Sequence, residues 1–318
     1  MSTNSNIEIP NESIRDSACG FVLTEPCRHE QPLSLDESLK RFQREAVRDV
    51  CDTGRYRCPY YIWGEGPPLV FIHGLCDDAR SFVLPIVNLS RHFRCIAYDL
   101  PGNPGDGSKL SGYEHADFVK DLHALLNHLD LQSCSLFASS FGSTIALRAM
   151  HDLPERLPSA VLQGAFARRP LSLPEVLLAK LARYWPWPMH RLPLRVPIIR
   201  RSHFFPFAAG PAENWDYFLE RSGAPTMAAV AHRALILHDN DLRSLLPDIV
   251  QPILLICGDA DPLVGKKCEE VLQAGLPNAT RAELQNCGHM PQFSHPELMA
   301  ELILRFRTPL GCEQGMHC

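Results

Sequence analysis

The chain has 318 residues, 45% hydrophobic and 21% charged, with a formal net charge of −5 and a pI near 6.3. Those values fit a soluble globular protein with one large core and argue against general nucleic-acid binding, which needs a basic face. The first ten residues hold neither a basic residue nor an apolar run, and no stretch reaches the length of a membrane span. Neither a secretory signal nor a transmembrane segment is therefore expected, and a cytoplasmic location follows. Twelve cysteines are scattered along the chain without any Cys-x-x-Cys pair, so no zinc site and no disulfide framework is expected.

Residues 1–33 are polar and interrupted by proline, which reads as a disordered or loosely attached arm. Ser34 then has the character of a helix N-cap, followed by a mostly solvated helix anchored by Leu39, Phe42 and Val47. Tyr56 to Trp63 suits a strand, and Gly64-Glu65-Gly66-Pro67-Pro68 punctuates its end. Leu69 to Ile72 is a continuous apolar run, the mark of a parallel strand buried on both faces, and it stops at His73-Gly74-Leu75. Gly74 can turn sharply at the carboxyl end of that strand, which frees the N–H of Leu75 at the edge where open α/β sheets bind ligands.

Cys95 to Asp99 forms the next strand, and the glycine-rich loop from Leu100 to Ser108 follows. That loop has neither GxGxxG spacing nor the Gly-Lys-Ser/Thr of a P-loop, so it reads as a structural turn. Phe118, Leu122, Leu125, Leu126 and Leu129 recur at helical spacing and predict an amphipathic helix over 114–130. Cys134 to Ser139 is again strand-like, and Ile145, Leu147, Ala149 and Met150 belong to a helix. Ser140 falls at the joint. A serine on such a turn has its hydroxyl pushed out of the sheet, and the N–H of Phe141 lies at the open N-terminus of the helix, where negative charge is favoured.

Ala160 to Leu162 is a further strand, after which the βα alternation breaks until about residue 246. Helical stretches are expected near 174–185, 212–222 and 226–238. The alternation resumes with a strand from Ile253 to Cys257, a helix at 266–274, a strand at 279–285 and a helix at 296–307. The chain thus divides into an N-terminal extension over 1–48, a core formed by 49–165 and 247–318, and a helical cap inserted at 166–246.

A serine nucleophile needs a base to take its proton and a carboxylate to hold that base in the right tautomer. Asp259 and Asp261 follow the strand ending at Cys257 and Gly258, and His289 follows the strand at 279–285. Serine, aspartate and histidine therefore each lie just past an independently predicted strand, in that chain order. With His73-Gly74, the Asp99-Leu-Pro-Gly turn, Gly258-x-x-Asp261-Pro262 and Gly288-His289-x-Pro291, the chain from about 56 to 308 resembles the α/β-hydrolase superfamily. Ala138 stands where the family's Gly-x-Ser-x-Gly elbow usually has its first glycine, and a single methyl is the smallest intrusion there.

The resemblance implies an α/β fold with a mostly parallel, doubly wound sheet and a helical cap. It implies Ser140 as nucleophile, His289 as general base and then acid, and Asp261, three residues past the glycine, as the orienting carboxylate. The N–H groups of Leu75 and Phe141 would form the oxyanion hole, and His73 would shape the loop without chemistry. A serine at the elbow excludes the dehalogenase and epoxide hydrolase branches, which use aspartate there. Carboxylic ester hydrolysis through an acyl-enzyme is the reading that remains, without metal or other cofactor. A carbon–carbon bond hydrolase, a thioesterase, an acyltransferase and a triad-bearing receptor with little turnover share the same residues.

The cap sets the substrate, expected to be a small apolar ester or acyl compound. From Ala165 to His203 it carries eight basic residues (Arg168, Arg169, Lys180, Arg183, Arg191, Arg195, Arg200, Arg201) against one acid, Glu175. Two readings follow. Either its leucines and tryptophans roof the pocket while its arginines face water, or it offers a basic, apolar surface to an anionic interface or an acyl carrier.

Overall fold

The computed structural model describes residues 21–23, 33–207 and 211–307. Among them nine strands form one sheet: β1 (Phe21–Leu23), β2 (Val47–Asp52), β3 (Arg57–Trp63), β4 (Pro68–Ile72), β5 (Arg94–Tyr98), β6 (Ser135–Ser139), β7 (Ala160–Gln163), β8 (Ile253–Gly258) and β9 (Ala279–Leu284). Their order across the sheet is β1-β9-β8-β7-β6-β4-β5-β3-β2. Only β2 with β3 and β3 with β5 pair antiparallel, and every other pair is parallel.

The central strands carry the sheet because both of their faces are apolar. In β4 the side chains of Val70 and Ile72 join one core and those of Leu69 and Phe71 the other. Helices α3 (His115–His128), α4 (Phe141–Asp152) and α9 (Lys266–Gly275) supply the first core, which also takes in Cys134 and Cys257. Helices α1 (Leu35–Glu45), α2 (Val83–Leu89) and α11 (Pro296–Arg307) supply the second, with Cys95. Helices on both faces of a mostly parallel sheet make the doubly wound α/β architecture that the motifs implied.

Between β7 and β8 lie α5 (Leu173–Ala182), α6 (Arg195–Phe207), α7 (Ala212–Arg221) and α8 (Met227–Asp239), and a single turn, α10 (Pro291–Ser294), precedes α11. The helix α1 begins as expected at Ser34, whose hydroxyl and Glu37 form a reciprocal capping box.

Three expectations change. Val47 does not extend α1: the helix ends at Glu45 with Ala46 as its extended C-cap, and Val47 opens the edge strand β2, where backbone pairing with β3 replaces helical bonds. Within the expected loose arm, Phe21–Leu23 adds a parallel edge strand to β9, while 1–20 and 24–32 lie outside the described residues. Helix α6 was not expected at all, and the expected helix at 174–185 is shorter, ending at Ala182.

Candidate active site

Strand β6 ends at Ser139, and the next residue turns abruptly. Ser140 has φ 51° and ψ −117°, a region that non-glycine residues rarely enter, and Phe141 begins α4. The turn fits because Gly142 has no side chain: a β-carbon there would stand 2.4 Å from the carbonyl oxygen of Ile72 and 2.7 Å from that of His73. Helix α4 can thus pass against the end of β4. Ala138, in the elbow's first position, is wholly buried between Ile72 and Leu162 of the neighbouring strands, so its methyl is absorbed by core packing.

The loop after β4 abuts that turn. A side chain at Gly74 would meet Ser140 Cβ at 3.5 Å, which places Gly74 beside the serine, with Leu75 next along the loop. His73 holds this loop from below. The backbone N–H of Leu100 donates to His73 Nε2 at 2.9 Å, so the ring's proton sits on Nδ1 and is donated to the carbonyl of Gly74 at 2.8 Å. Burial, then the nearby charge of Arg233, pushes the His73 pKa down to about 3. It is a neutral structural histidine, as expected.

The other two side chains meet directly. His289 Nδ1 and Asp261 Oδ2 are 2.7 Å apart, both side chains being almost fully buried. Asp261 Oδ1 accepts the backbone N–H groups of Leu263 at 2.8 Å and Val264 at 3.0 Å. Burial opposes ionisation of this carboxyl, but the His289 bond and charge and the two N–H donors prevail and hold its pKa below the ordinary value. Asp259 does something different: its Oδ1 accepts the N–H of Cys287 at 3.0 Å, tying the loop after β8 to the loop that carries the histidine.

Ser140 and His289 share one neighbour. The Ser140 N–H donates to Gln163 O at 2.8 Å, and the next residue, Gly164, has φ 53° and lies flat against the histidine. A β-carbon on Gly164 would fall 2.7 Å from His289 Cε1. The Gln163 side chain braces the same spot, accepting from Ser139 Oγ at 2.5 Å and donating to the His289 carbonyl at 2.8 Å. Serine, histidine and aspartate thus gather at the carboxyl edge of β6, β7, β8 and β9. The contact with Asp261 occupies Nδ1 of the imidazole.

Two further residues at the site were not singled out from sequence. Arg233, on α8, is entirely buried. Its Nη1 donates to the carbonyl of Leu75 at 3.0 Å, and its Nη2 donates to the carbonyls of Leu100 at 3.0 Å and Pro101 at 2.7 Å. The only sequence signal was a His232-Arg233 pair inside the otherwise apolar run Ala228 to Leu237. Asp77 is the second: burial, with the adjacent Asp78 charge, drives its pKa up to about 7, and its Oδ1 has no protein partner. Its Oδ2 would stand 3.1 Å from a side chain at Gly74, so this carboxyl borders the same loop.

The helices between β7 and β8 are pinned over this edge. Arg221 of α7 forms a buried ion pair with Asp78 at 2.9 Å, and Asn214 donates to the carbonyl of Phe293 at 2.8 Å. Trp215, Tyr217 and Phe218 pack with Met290 and Phe293, immediately beyond His289. The glycine-rich loop is closed by a carboxylate, since Asp106 accepts the N–H groups of Gly102, Asn103 and Ser108, each at 2.8 Å. The donors that a phosphate would require are already taken, in keeping with a structural turn.

Comparison with known proteins agrees with this architecture. The chain is 28% identical over 252 residues to a pimeloyl-[acyl-carrier protein] methyl ester esterase of Nitrosomonas europaea, covering 74% of this chain and 93% of that one. It is 27% identical over 254 residues to a putative carbamate hydrolase of Serratia proteamaculans, covering 75% and 90%. A crystal structure of a hydrolase from Pseudomonas aeruginosa superimposes with a TM-score of 0.70 at 19% identity, over 81% of this chain and 97% of that one, a likeness of fold. The family model for the alpha/beta hydrolase fold matches residues 67–296, and the chain belongs to that family.

Proposed function

We propose that the protein hydrolyses carboxylic esters through an acyl-enzyme on Ser140. The observation that carries this reading is the 2.7 Å contact between His289 Nδ1 and Asp261 Oδ2 at the edge where the strained Ser140 turn emerges. Relatives named as an esterase and a carbamate hydrolase support acyl transfer to water as the reaction class.

In the first half-reaction His289 Nε2 takes the Ser140 proton as Oγ bonds to the ester carbonyl carbon. The carbonyl oxygen becomes an oxyanion, accepted by the N–H groups of Leu75 and Phe141. Asp261 stabilises the imidazolium without being protonated itself. His289 then gives its proton to the departing alkoxide, the carbon–oxygen bond breaks, and the alcohol leaves. Water repeats the cycle on the acyl-enzyme and releases the acid and Ser140. These residues move every proton, so the scheme needs no metal or other cofactor.

Helices α5 to α8 act in this reading as a cap over the core. Its inner helices α7 and α8 bear on the chemistry, α7 through Arg221 and its packing on Met290 and α8 through Arg233. The substrate is a small apolar ester or acyl compound, and the basic outer surface of the cap is available to an anionic partner. Trapping tests the scheme: an activated p-nitrophenyl ester should leave its acyl mass on the peptide containing Ser140. An acyl mass carried on another residue instead would refute the acyl-enzyme on Ser140.

A further inference from the structure

Helix α5 starts at Ser172, which shares a capping box with Glu175, and packs along α8. It turns Ala179 inward and its leucines outward. Leu173 is 87% exposed, and Leu177, Leu178 and Leu181 are each more than 60% exposed, at positions that share one side of the helix. They do not roof the site. Beyond the helix, Trp185 and Trp187 remain about half exposed, at 51% and 49%. Single exposed leucines are ordinary, but a contiguous set of leucines with two tryptophans marks an interaction surface.

The charge around this surface is mostly positive. Lys180 and Arg191 are exposed; Arg191 stacks on Trp187 at 4.9 Å and Arg183 on Tyr184 at 4.8 Å. Among the described residues, none of Lys180, Arg183 and Arg191 has a carboxylate partner. The only acid between Ala165 and His203, Glu175, is engaged in capping α5.

We propose that this face of the cap docks on an anionic lipid bilayer, with the α5 leucines and the tryptophans entering the interface and the basic side chains meeting lipid phosphates. Outward-facing leucines beside interfacial tryptophan and unpaired cations are what a bilayer surface accepts, and it demands no shape complementarity. A second copy of the chain fits less well. A two-fold interface places the same patch opposite itself, so Lys180, Arg183 and Arg191 would face their own like charges. The proposal is independent of the chemistry at Ser140, because it is read from binding.

The test is co-sedimentation of the full chain with phosphatidylcholine vesicles that contain or lack phosphatidylglycerol. The protein is expected to pellet with the anionic vesicles, less so at high salt, and to stay in solution with phosphatidylcholine alone. Replacing Leu177→Ser and Leu181→Ser together should lower partition about tenfold or more at unchanged Tm, since both side chains are exposed in the folded chain. Lys180→Glu with Arg191→Glu should weaken binding without altering the apolar face. Equal partition of the leucine variant, or no preference for anionic vesicles, overturns the proposal. So does a dimer in sedimentation equilibrium that the leucine variant dissolves, or an acidic carrier protein that binds this face while vesicles do not.

Discussion

The guanidinium of Arg233, on α8, donates to the carbonyl of Leu75 at 3.0 Å, so a cap helix grips from behind the residue whose N–H is assigned to the oxyanion hole. The same side chain holds Leu100 and Pro101, and no carboxylate among the described residues forms an ion pair with it. Its energy lies in three charge-assisted bonds to backbone carbonyls.

Arg233→Lys keeps the charge but not the fork, and a single compact ammonium cannot stand where two separate guanidinium nitrogens reach the three carbonyls. The expected result is a fall in kcat of about 10- to 100-fold with KM changed much less, because oxyanion contacts strengthen only in the transition state. Steady-state kinetics on a p-nitrophenyl ester reads this. A change confined to KM would show that the arginine shapes binding rather than the oxyanion loop.

The two aspartates after β8 make a sharper contrast. Asp261→Asn removes the carboxylate that fixes the His289 tautomer and should cost about 10⁴ in kcat. Asp259→Asn still offers an oxygen to the Cys287 N–H, and its loss should stay within about tenfold. The opposite ranking would move the triad's acid to Asp259.

Asp77 predicts a pH dependence of stability. Its carboxyl is raised from an ordinary value of 3.8 to about 7 in the folded chain, chiefly by burial. The folded state therefore holds this proton more tightly than the unfolded state. The stability it contributes is complete below about pH 4 and is lost as pH rises to about 7, by up to about 4 kcal/mol. Asp77→Asn cannot ionise, so it should raise Tm relative to wild type more at pH 8 than at pH 5. A Tm difference that does not vary with pH would contradict a carboxyl whose ionisation burial opposes.

Much of the site was legible because its signals are local. Ser140 and Asp261 each follow an apolar run that reads as a buried strand, His289 follows the more polar β9, and parallel strands put all their carboxyl ends on one edge. The elements that escaped are those whose stability comes from elsewhere. The strand β2, Val-Arg-Asp-Val-Cys-Asp, is charged and pairs only at the sheet edge with β3, so its own pattern is faint. Helix α6 has Pro197 and paired arginines without an apolar period. Arg233 was visible as an oddity in α8, but its partners are carbonyls more than 130 residues away in sequence, and no side-chain pattern records a carbonyl.

If serine, histidine and aspartate carry the reaction unaided, a chelator should leave turnover unchanged. Activity lost in EDTA and restored by a divalent cation would require a metal step that this scheme does not contain.

The central claim is that Ser140 is the nucleophile, and kcat of Ser140→Ala on a p-nitrophenyl ester tests it most directly. The change removes one hydroxyl from a half-buried turn and should leave the circular dichroism spectrum and Tm near wild type. The account predicts a loss in kcat on the order of 10⁴ or more. Folded Ser140→Ala protein that kept more than about a hundredth of wild-type turnover, far above that expected residue, would place the nucleophile elsewhere.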